Sequence, residues 1–184
     1  DGRLVRQPDS PTNGLIVKLH LRALSRDENG LRHMQPDDIP GEHHMKQKQT
    51  YYDANPDYLW LKEHEWRTLV PAQVKSGDTF AVADVVVERI FRFHLNPTLV
   101  FGETNGMRKD DIRGGKLELE VTDVDAQRIK MKLTGHAQLG SDYETADAAA
   151  GEKKFSPGYE PKLLGYLTFD RKQDRFTQFD VVAL

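Results

Sequence analysis

Two neighbouring segments in which apolar and polar residues alternate constrain the fold of this chain more than any other feature. The first is KLELEVTDV at residues 116–124, and the second is RIKMKLTGHAQL at residues 128–139. Successive side chains of a β-strand point to opposite faces, so each segment predicts a strand with one apolar and one polar face. Residues 125–127 then form a hairpin turn. This pattern predicts an antiparallel sheet that is covered on one side.

Three further segments also predict strands. LLGYLTFDRKQDRFTQFDVVAL, residues 163–184, predicts a second hairpin that turns at residues 171–174. GLIVKLHLRAL, residues 14–24, alternates with period two and predicts another half-buried strand. TYYDANPDYLWL, residues 50–61, predicts two short aromatic strands on either side of an Asn-Pro turn.

Two segments have the spacing of helices. In SGDTFAVADVVVERIFRFHLNP, apolar side chains recur every three or four residues from Val82 to Phe93, which predicts the main helix near residues 81–94. KEHEWRTLVP predicts a short helix near residues 62–70 that ends at Pro71. The fold class is therefore α+β, with a predominantly antiparallel curved sheet of six or more strands and one main helix packed on it.

The domain organisation follows from length and from two polar segments. The 184 residues suffice for a single domain spanning residues 1–184. Residues 1–14 predict an extended lead-in, and residues 25–49 and 140–162 predict two long loops, which in compact domains are usually functional or disordered. The chain starts at Asp1 rather than Met and stops within a predicted strand, so we expect it to be a piece of a longer chain.

Composition excludes several classes of protein. The formal net charge is -3, from 26 basic and 29 acidic residues, and no basic patch favours nucleic acid. No apolar stretch approaches the roughly 18 residues of a membrane-spanning helix, so the chain is not expected to be transmembrane. The absence of cysteine excludes disulfides, thiolate metal sites and a cysteine nucleophile.

Residues 59–184 resemble a family of exported domains. The resemblance rests on the Gly-Asp-x-aromatic turn at residues 77–80, on the hairpin sequence GYLTFD at residues 165–170 and on the aromatic Phe176 of the return strand. These features resemble β-rich exported domains of bacterial envelope proteins that have no assigned function, although Phe80 stands where tryptophan is more usual. The resemblance implies a periplasmic, envelope or secreted location and brings no catalytic residue with it.

The stretch HMQPDDIPGEHHM, residues 33–45, is the best candidate for a metal site. It holds three of the seven histidines and two of the four methionines. Reduced copper prefers thioether and imidazole ligands, whereas zinc combines histidine with carboxylates. No cofactor is assigned with certainty; if the stretch binds a metal, the ion would be copper or zinc and the candidate ligands are His33, His43, His44 and Met45. The alternative is a polar loop of solvated histidines, because the spacing fits no tight motif such as H-E-x-x-H.

Two other histidine groupings suggest chemistry, each with a simpler structural explanation. His64 lies between Glu63 and Glu65, where it could form an acid–base pair, but acidic residues at a helix start are also favoured by the helix dipole. His20 and His136 lie on the polar faces of predicted strands and would meet only if those strands are neighbours. The alternative is that both histidines are exposed and separate.

Three functions compete on these observations. The leading interpretation is a non-catalytic domain of an exported bacterial protein that binds a protein partner or a small apolar ligand, or has a structural role. Nucleophile and phosphate-binding motifs are absent, so no catalytic residue is assigned. The alternatives are a metal-binding protein that uses residues 33–45 and an enzyme of unrecognised type with His64 or His136 as acid–base group. An internal apolar cavity would favour ligand binding, whereas a histidine meeting a carboxylate in a pocket would favour an enzyme.

Overall fold

The computed structural model of the protein describes residues 11–38, 54–95, 109–140 and 158–184. Within these ranges the chain is rich in antiparallel strands and has two short α-helices, which confirms a β-rich α+β class. The strands are β1 (Leu15–Leu21), β2 (Leu24–Asp27), β3 (Gly30–His33), β4 (Asn55–Leu61), β5 (Thr79–Ala81), β6 (Ile112–Val124), β7 (Arg128–Leu139), β8 (Lys162–Asp170) and β9 (Arg175–Ala183). The helices are α1 (Glu63–Trp66) and α2 (Asp84–His94), and Arg67–Leu69 continues α1 as a 3-10 turn.

The strands form one five-stranded sheet and two ribbons rather than a single sheet of six or more strands. The sheet has the order β5-β6-β7-β8-β9, and every neighbouring pair is antiparallel. The ribbons pair β1 with β4 and β2 with β3. Both predicted hairpins are present, and their turns fall at residues 125–127 and 171–174. The alternating pattern predicted the strands of these hairpins correctly because each strand buries only one of its faces.

The buried face of the sheet supplies most of the core. On β6, β7 and β8 each buried apolar residue is followed by a more exposed one, as the sequence pattern requires. α1 packs on the far end of this face, where Trp66 contacts Phe169 and Phe176 with ring centroids 6.1 and 6.0 Å apart. The indole N–H of Trp66 donates to the carbonyl of Asn13 at 2.8 Å. This aromatic cluster attaches α1 to the hairpin of β8 and β9.

The predicted Asn-Pro turn does not form. Asn55 and Pro56 lie inside β4, and Pro56 is opposite His20 of β1. Among the described strands β4 pairs with β1 alone, so one side of β4 has no ladder and a proline without an N–H is tolerated there. Residues 51–53, the first half of the predicted pair of strands, lie outside the described residues.

The predicted loop at residues 25–49 starts with a hairpin instead. β2 and β3 turn at Glu28-Asn29, and Gly30, the first residue of β3, has a φ of 115° that side-chain-bearing residues rarely adopt. Arg32 bonds to Asp27 at 2.9 Å across the hairpin and also to Asp38. The side-chain contacts described for this ribbon are polar, which explains why apolar periodicity did not predict it. Residues 39–49 lie outside the described part of the chain.

The main helix is confirmed, but its start and its buried face differ from the prediction. Thr79–Ala81 pairs with Glu118–Glu120 as β5, so α2 begins at Asp84 rather than at residue 81. Val86 and Phe91 are the buried side chains of α2, whereas Phe93 is 40 % exposed. No helix in the described residues is long and apolar enough to span a membrane.

Candidate ligand cavity

A cavity of about 810 Å³ lies between the β1–β4 ribbon, the end of α2 and the inner face of the five-stranded sheet. Its size falls in the range of pockets that hold small molecules, roughly 300–1,000 Å³. The inner walls are apolar and are formed chiefly by Leu19, Leu59, Ile90, Leu117, Leu133 and Leu163. Among the described strands β1 pairs with β4 alone, so it forms no ladder with the five-stranded sheet on the other side of the cavity.

The rim of the cavity holds exposed apolar side chains. Of the eight large apolar side chains that are exposed in the described residues, four line this cavity. Their exposed fractions are 48 % for Leu31, 39 % for Val181, 52 % for Val182 and 56 % for Leu184. Exposed apolar groups that cluster at the mouth of a concave surface indicate a binding site more than scattered ones do.

The charges on the cavity wall are predominantly positive. Lys18, Arg22 and Arg26 line the cavity, and Asp180 is the acidic residue that lines it with them. The carboxylate of Asp180 accepts a hydrogen bond at 2.8 Å from the side-chain amide of Gln178, its neighbour on β9. The cavity thus joins an apolar interior to a rim of basic character.

A histidine and a carboxylate meet beside the cavity. Nδ1 of His94, at the end of α2, lies 2.8 Å from Oδ2 of Asp57 on β4. His94 lines the cavity, and its side chain is 10 % exposed. Burial raises the pKa of Asp57, but hydrogen bonds from His94 and from the backbone N–H of Tyr58 outweigh burial, so this pKa lies below its ordinary value. The carboxylate thus orients the imidazole ring.

Among the four predicted metal ligands, the described residues include only His33. It lies at the end of β3, where Nη1 of Arg22 is 2.8 Å from its Nε2 and 3.0 Å from its Nδ1. A guanidinium at this distance repels a metal cation. His43, His44 and Met45 lie outside the described residues. Within residues 11–38, 54–95, 109–140 and 158–184, no group of three or more His, Asp or Glu side chains is placed to hold a metal ion.

The Glu63-His64-Glu65 grouping has a structural role at the start of α1. Glu65 is 3 % exposed and accepts hydrogen bonds from Arg89 at 2.5 Å and from the backbone N–H of Lys62 at 2.8 Å. Glu63 accepts from Asn13 at 3.0 Å, and it also pairs with Arg67. Both carboxylates therefore bind groups other than the exposed His64.

His20 and His136 do not come together. His20 belongs to the β1–β4 ribbon, whereas His136 lies on β7 of the five-stranded sheet, opposite Lys116 on one side and Lys162 on the other. Their strands are not neighbours in the described residues, so the predicted histidine pair is absent. His20 instead lines the cavity.

The pairing of His94 with Asp57 is the feature that sequence reasoning missed. The two residues are 37 positions apart, and they belong to a helix and a strand whose contact no local pattern shows. The sequence indicated only that His94 lies at the end of a predicted helix and that Asp57 lies in an aromatic predicted strand. Neither position implied the other without the tertiary fold.

Comparison of the chain with known protein families, curated proteins and solved structures found no relative. No protein-family model, curated protein or solved structure matches the chain.

Proposed function

We propose that this protein is a non-catalytic binding domain that holds a small apolar ligand between β1 and a curved inner face of the five-stranded sheet. The single observation that carries this proposal is the cavity of about 810 Å³ with apolar walls and exposed apolar residues at its rim. Burying this surface under a ligand would stabilise the complex through the hydrophobic effect.

An exported bacterial location is part of the same proposal. It is supported by the resemblance of residues 59–184 to exported envelope domains. Domains of this kind work in the periplasm, the envelope or the medium, where a carrier can shield an apolar molecule from water. Fractionation of the source cells would test this part independently: recovery of the protein only with the cytosol would contradict it.

Binding can be tested with N-phenyl-1-naphthylamine, a neutral apolar dye that fluoresces when it leaves water. We expect saturable, near-stoichiometric binding to the intact protein. Leu19→Trp places a larger side chain in the cavity wall and should weaken dye binding. Leu164→Trp is the matched control, because Leu164 is 41 % exposed and is absent from the cavity wall. Absence of saturable binding to the unmodified protein would overturn the proposal.

A second candidate function is acid–base catalysis, and the contact between His94 and Asp57 favours it. An imidazole that is oriented by a carboxylate at an apolar cavity can take a proton from a bound molecule. The neutral compound 5-nitrobenzisoxazole opens to a coloured phenolate when a base removes its activated C–H proton. A catalytic site predicts that the protein accelerates this opening and that His94→Leu abolishes the acceleration, whereas His136→Leu does not. Equal rates with and without protein would count against catalysis.

A further inference from the structure

We infer that the ligand carries an anionic head group, and that Arg22 binds this group at the rim while an apolar tail occupies the cavity. This inference rests on the proposed function, because it concerns the same cavity. It adds the chemical class of the ligand, namely a molecule with an apolar chain and an acidic end.

The first argument is the state of the Arg22 guanidinium. Its Nε atom is buried and has no hydrogen-bond partner among the described residues. A buried donor without an acceptor costs free energy, and such groups are rare in folded proteins. The one side-chain contact described for Arg22 is that of Nη1 with the ring of His33.

The second argument is the chemistry that would satisfy this group. Arginine presents several N–H donors in a planar fork that matches the two oxygens of a carboxylate. No acidic side chain within the described residues pairs with Arg22. A carboxylate on the ligand could accept from the terminal nitrogens of the Arg22 guanidinium, with the ring of His33 still in contact.

The third argument is the charge around Arg22. Lys18 and Arg26 line the same cavity, so three basic side chains line it with one acidic side chain, that of Asp180. A negative head would be attracted to this rim, whereas a positive head would be repelled. The apolar rim residues, including Leu31 and Val182, would cover the first carbons of the chain. An anionic amphiphile therefore fits the cavity better than a neutral or a cationic one of equal length.

The test compares three ligands with the same twelve-carbon chain, each used to displace N-phenyl-1-naphthylamine. We expect laurate to displace the dye at the lowest concentration, 1-dodecanol at a higher one and dodecylammonium at the highest. Equal potency of the three compounds, or a preference for the cation, would overturn the inference. Failure of the dye itself to bind would instead overturn the proposed function, so the two failures are distinguishable.

Arg22→Gln tests the assigned residue. The variant should weaken laurate binding about tenfold or more, because hydrogen bonds to a charged partner are the strong ones. Binding of the dye and of dodecanol should change much less than binding of laurate, and retained dye binding also reports that the variant is folded. Arg175→Gln is the control, since Arg175 is exposed at the end of β9 that lies away from the cavity. Unchanged laurate binding by Arg22→Gln would overturn the assignment.

Two further measurements complete the experiment. If Arg22→Gln does not fold, Arg22→Lys keeps the positive charge and should keep the preference for laurate over dodecanol. Loss of that preference would overturn the inference.

Vesicles of phosphatidylglycerol distinguish a free amphiphile from a membrane surface. Displacement of the dye by laurate supports the inference. Pelleting of the protein with vesicles, without displacement by laurate, would overturn it.

Discussion

Arg89 of α2 donates from Nη2 to the carboxylate of Glu65 in α1 at 2.5 Å, and this contact joins the two helices. Glu65 is 3 % exposed, and the Arg89 side chain is 19 % exposed. The guanidinium also stacks over Trp60 of β4, with its carbon 4.5 Å from the ring centroid. One cation thus holds α1, α2 and β4 together.

Removing either charge of this pair should destabilise the protein strongly. Arg89→Met leaves Glu65 buried without its partner, and we expect a loss of about 3–5 kcal/mol in the free energy of unfolding. Denaturation in urea, followed by tryptophan fluorescence, measures the change. Arg67→Met, which removes an exposed arginine of the neighbouring turn, should cost much less. A similar loss in both variants would contradict a special role for the buried pair.

The Glu65 carboxylate should make stability depend on pH. Burial raises its pKa, but hydrogen bonds from Arg89 and from the backbone N–H of Lys62 prevail and hold this pKa below its ordinary value. The ionised form is therefore favoured in the folded state. Its contribution should be complete above the ordinary glutamate pKa of about 4.3 and should disappear as the pH falls through the lower folded-state value.

Glu65→Gln isolates this contribution from that of the other carboxylates. The difference in unfolding free energy between the original protein and Glu65→Gln should be large at neutral pH and should shrink as the solution is acidified. Urea denaturation at several pH values measures it. A difference that stays constant between neutral pH and pH values below the ordinary glutamate pKa would argue against the assigned shift.

The contact between Asp57 and His94 predicts a titration that can be observed directly. His94→Phe removes the hydrogen-bond donor and leaves the carboxylate half buried, so the pKa of Asp57 should rise from its lowered value. Carbon-13 NMR of the side-chain carboxyl would follow this titration. His136→Phe, on the outer face of the sheet, should leave the Asp57 titration unchanged. An unchanged pKa in His94→Phe would mean that the ring does not donate to Asp57.

Gly135 on β7 should not tolerate a side chain. A Cβ atom at this position would overlap the carbonyl oxygen of Lys116 and would lie 2.5 Å from a methyl group of Leu117, both on the neighbouring strand β6. Because the backbone of a central strand cannot retreat, Gly135→Ala should cost about 1–3 kcal/mol in stability. Thermal denaturation followed by circular dichroism measures the change.

Gly114→Ala is the matched control for this prediction. Its Cβ would meet only the side-chain oxygen of Gln138 at 3.0 Å, and a flexible side chain can move aside. We therefore expect a small change in melting temperature for Gly114→Ala and a clear decrease for Gly135→Ala. The reverse order would show that the two strands are spaced differently from the structure.

The sheet was predictable from the sequence because its strands bury one face. Leu117, Leu119 and Val121 alternate with charged residues, and this pattern alone placed β6 in an antiparallel hairpin with β7. The pattern did not predict strands in which apolar and polar residues do not alternate. The β2–β3 ribbon is a backbone ladder whose described side-chain contact, between Arg32 and Asp27, is polar, and a hydrophobic pattern does not register it.

The cavity could be predicted only as a general expectation. A sheet that is covered on one side can enclose an apolar ligand site, but the sequence did not show whether it does. The walls of the cavity come from β1, α2 and β9, which are far apart in the chain. The position of β1 at the cavity is set by tertiary packing rather than by a local signal.

The wide separation of the cavity walls has a consequence for folding. β1 (Leu15–Leu21) and β9 (Arg175–Ala183) bound the same space, so a ligand can be enclosed only after both ends of the described chain have come together. Such long-range closure is slow compared with the formation of the local hairpins. A molecule that binds this space would therefore report complete folding, and by mass action it would stabilise the whole domain rather than a single element.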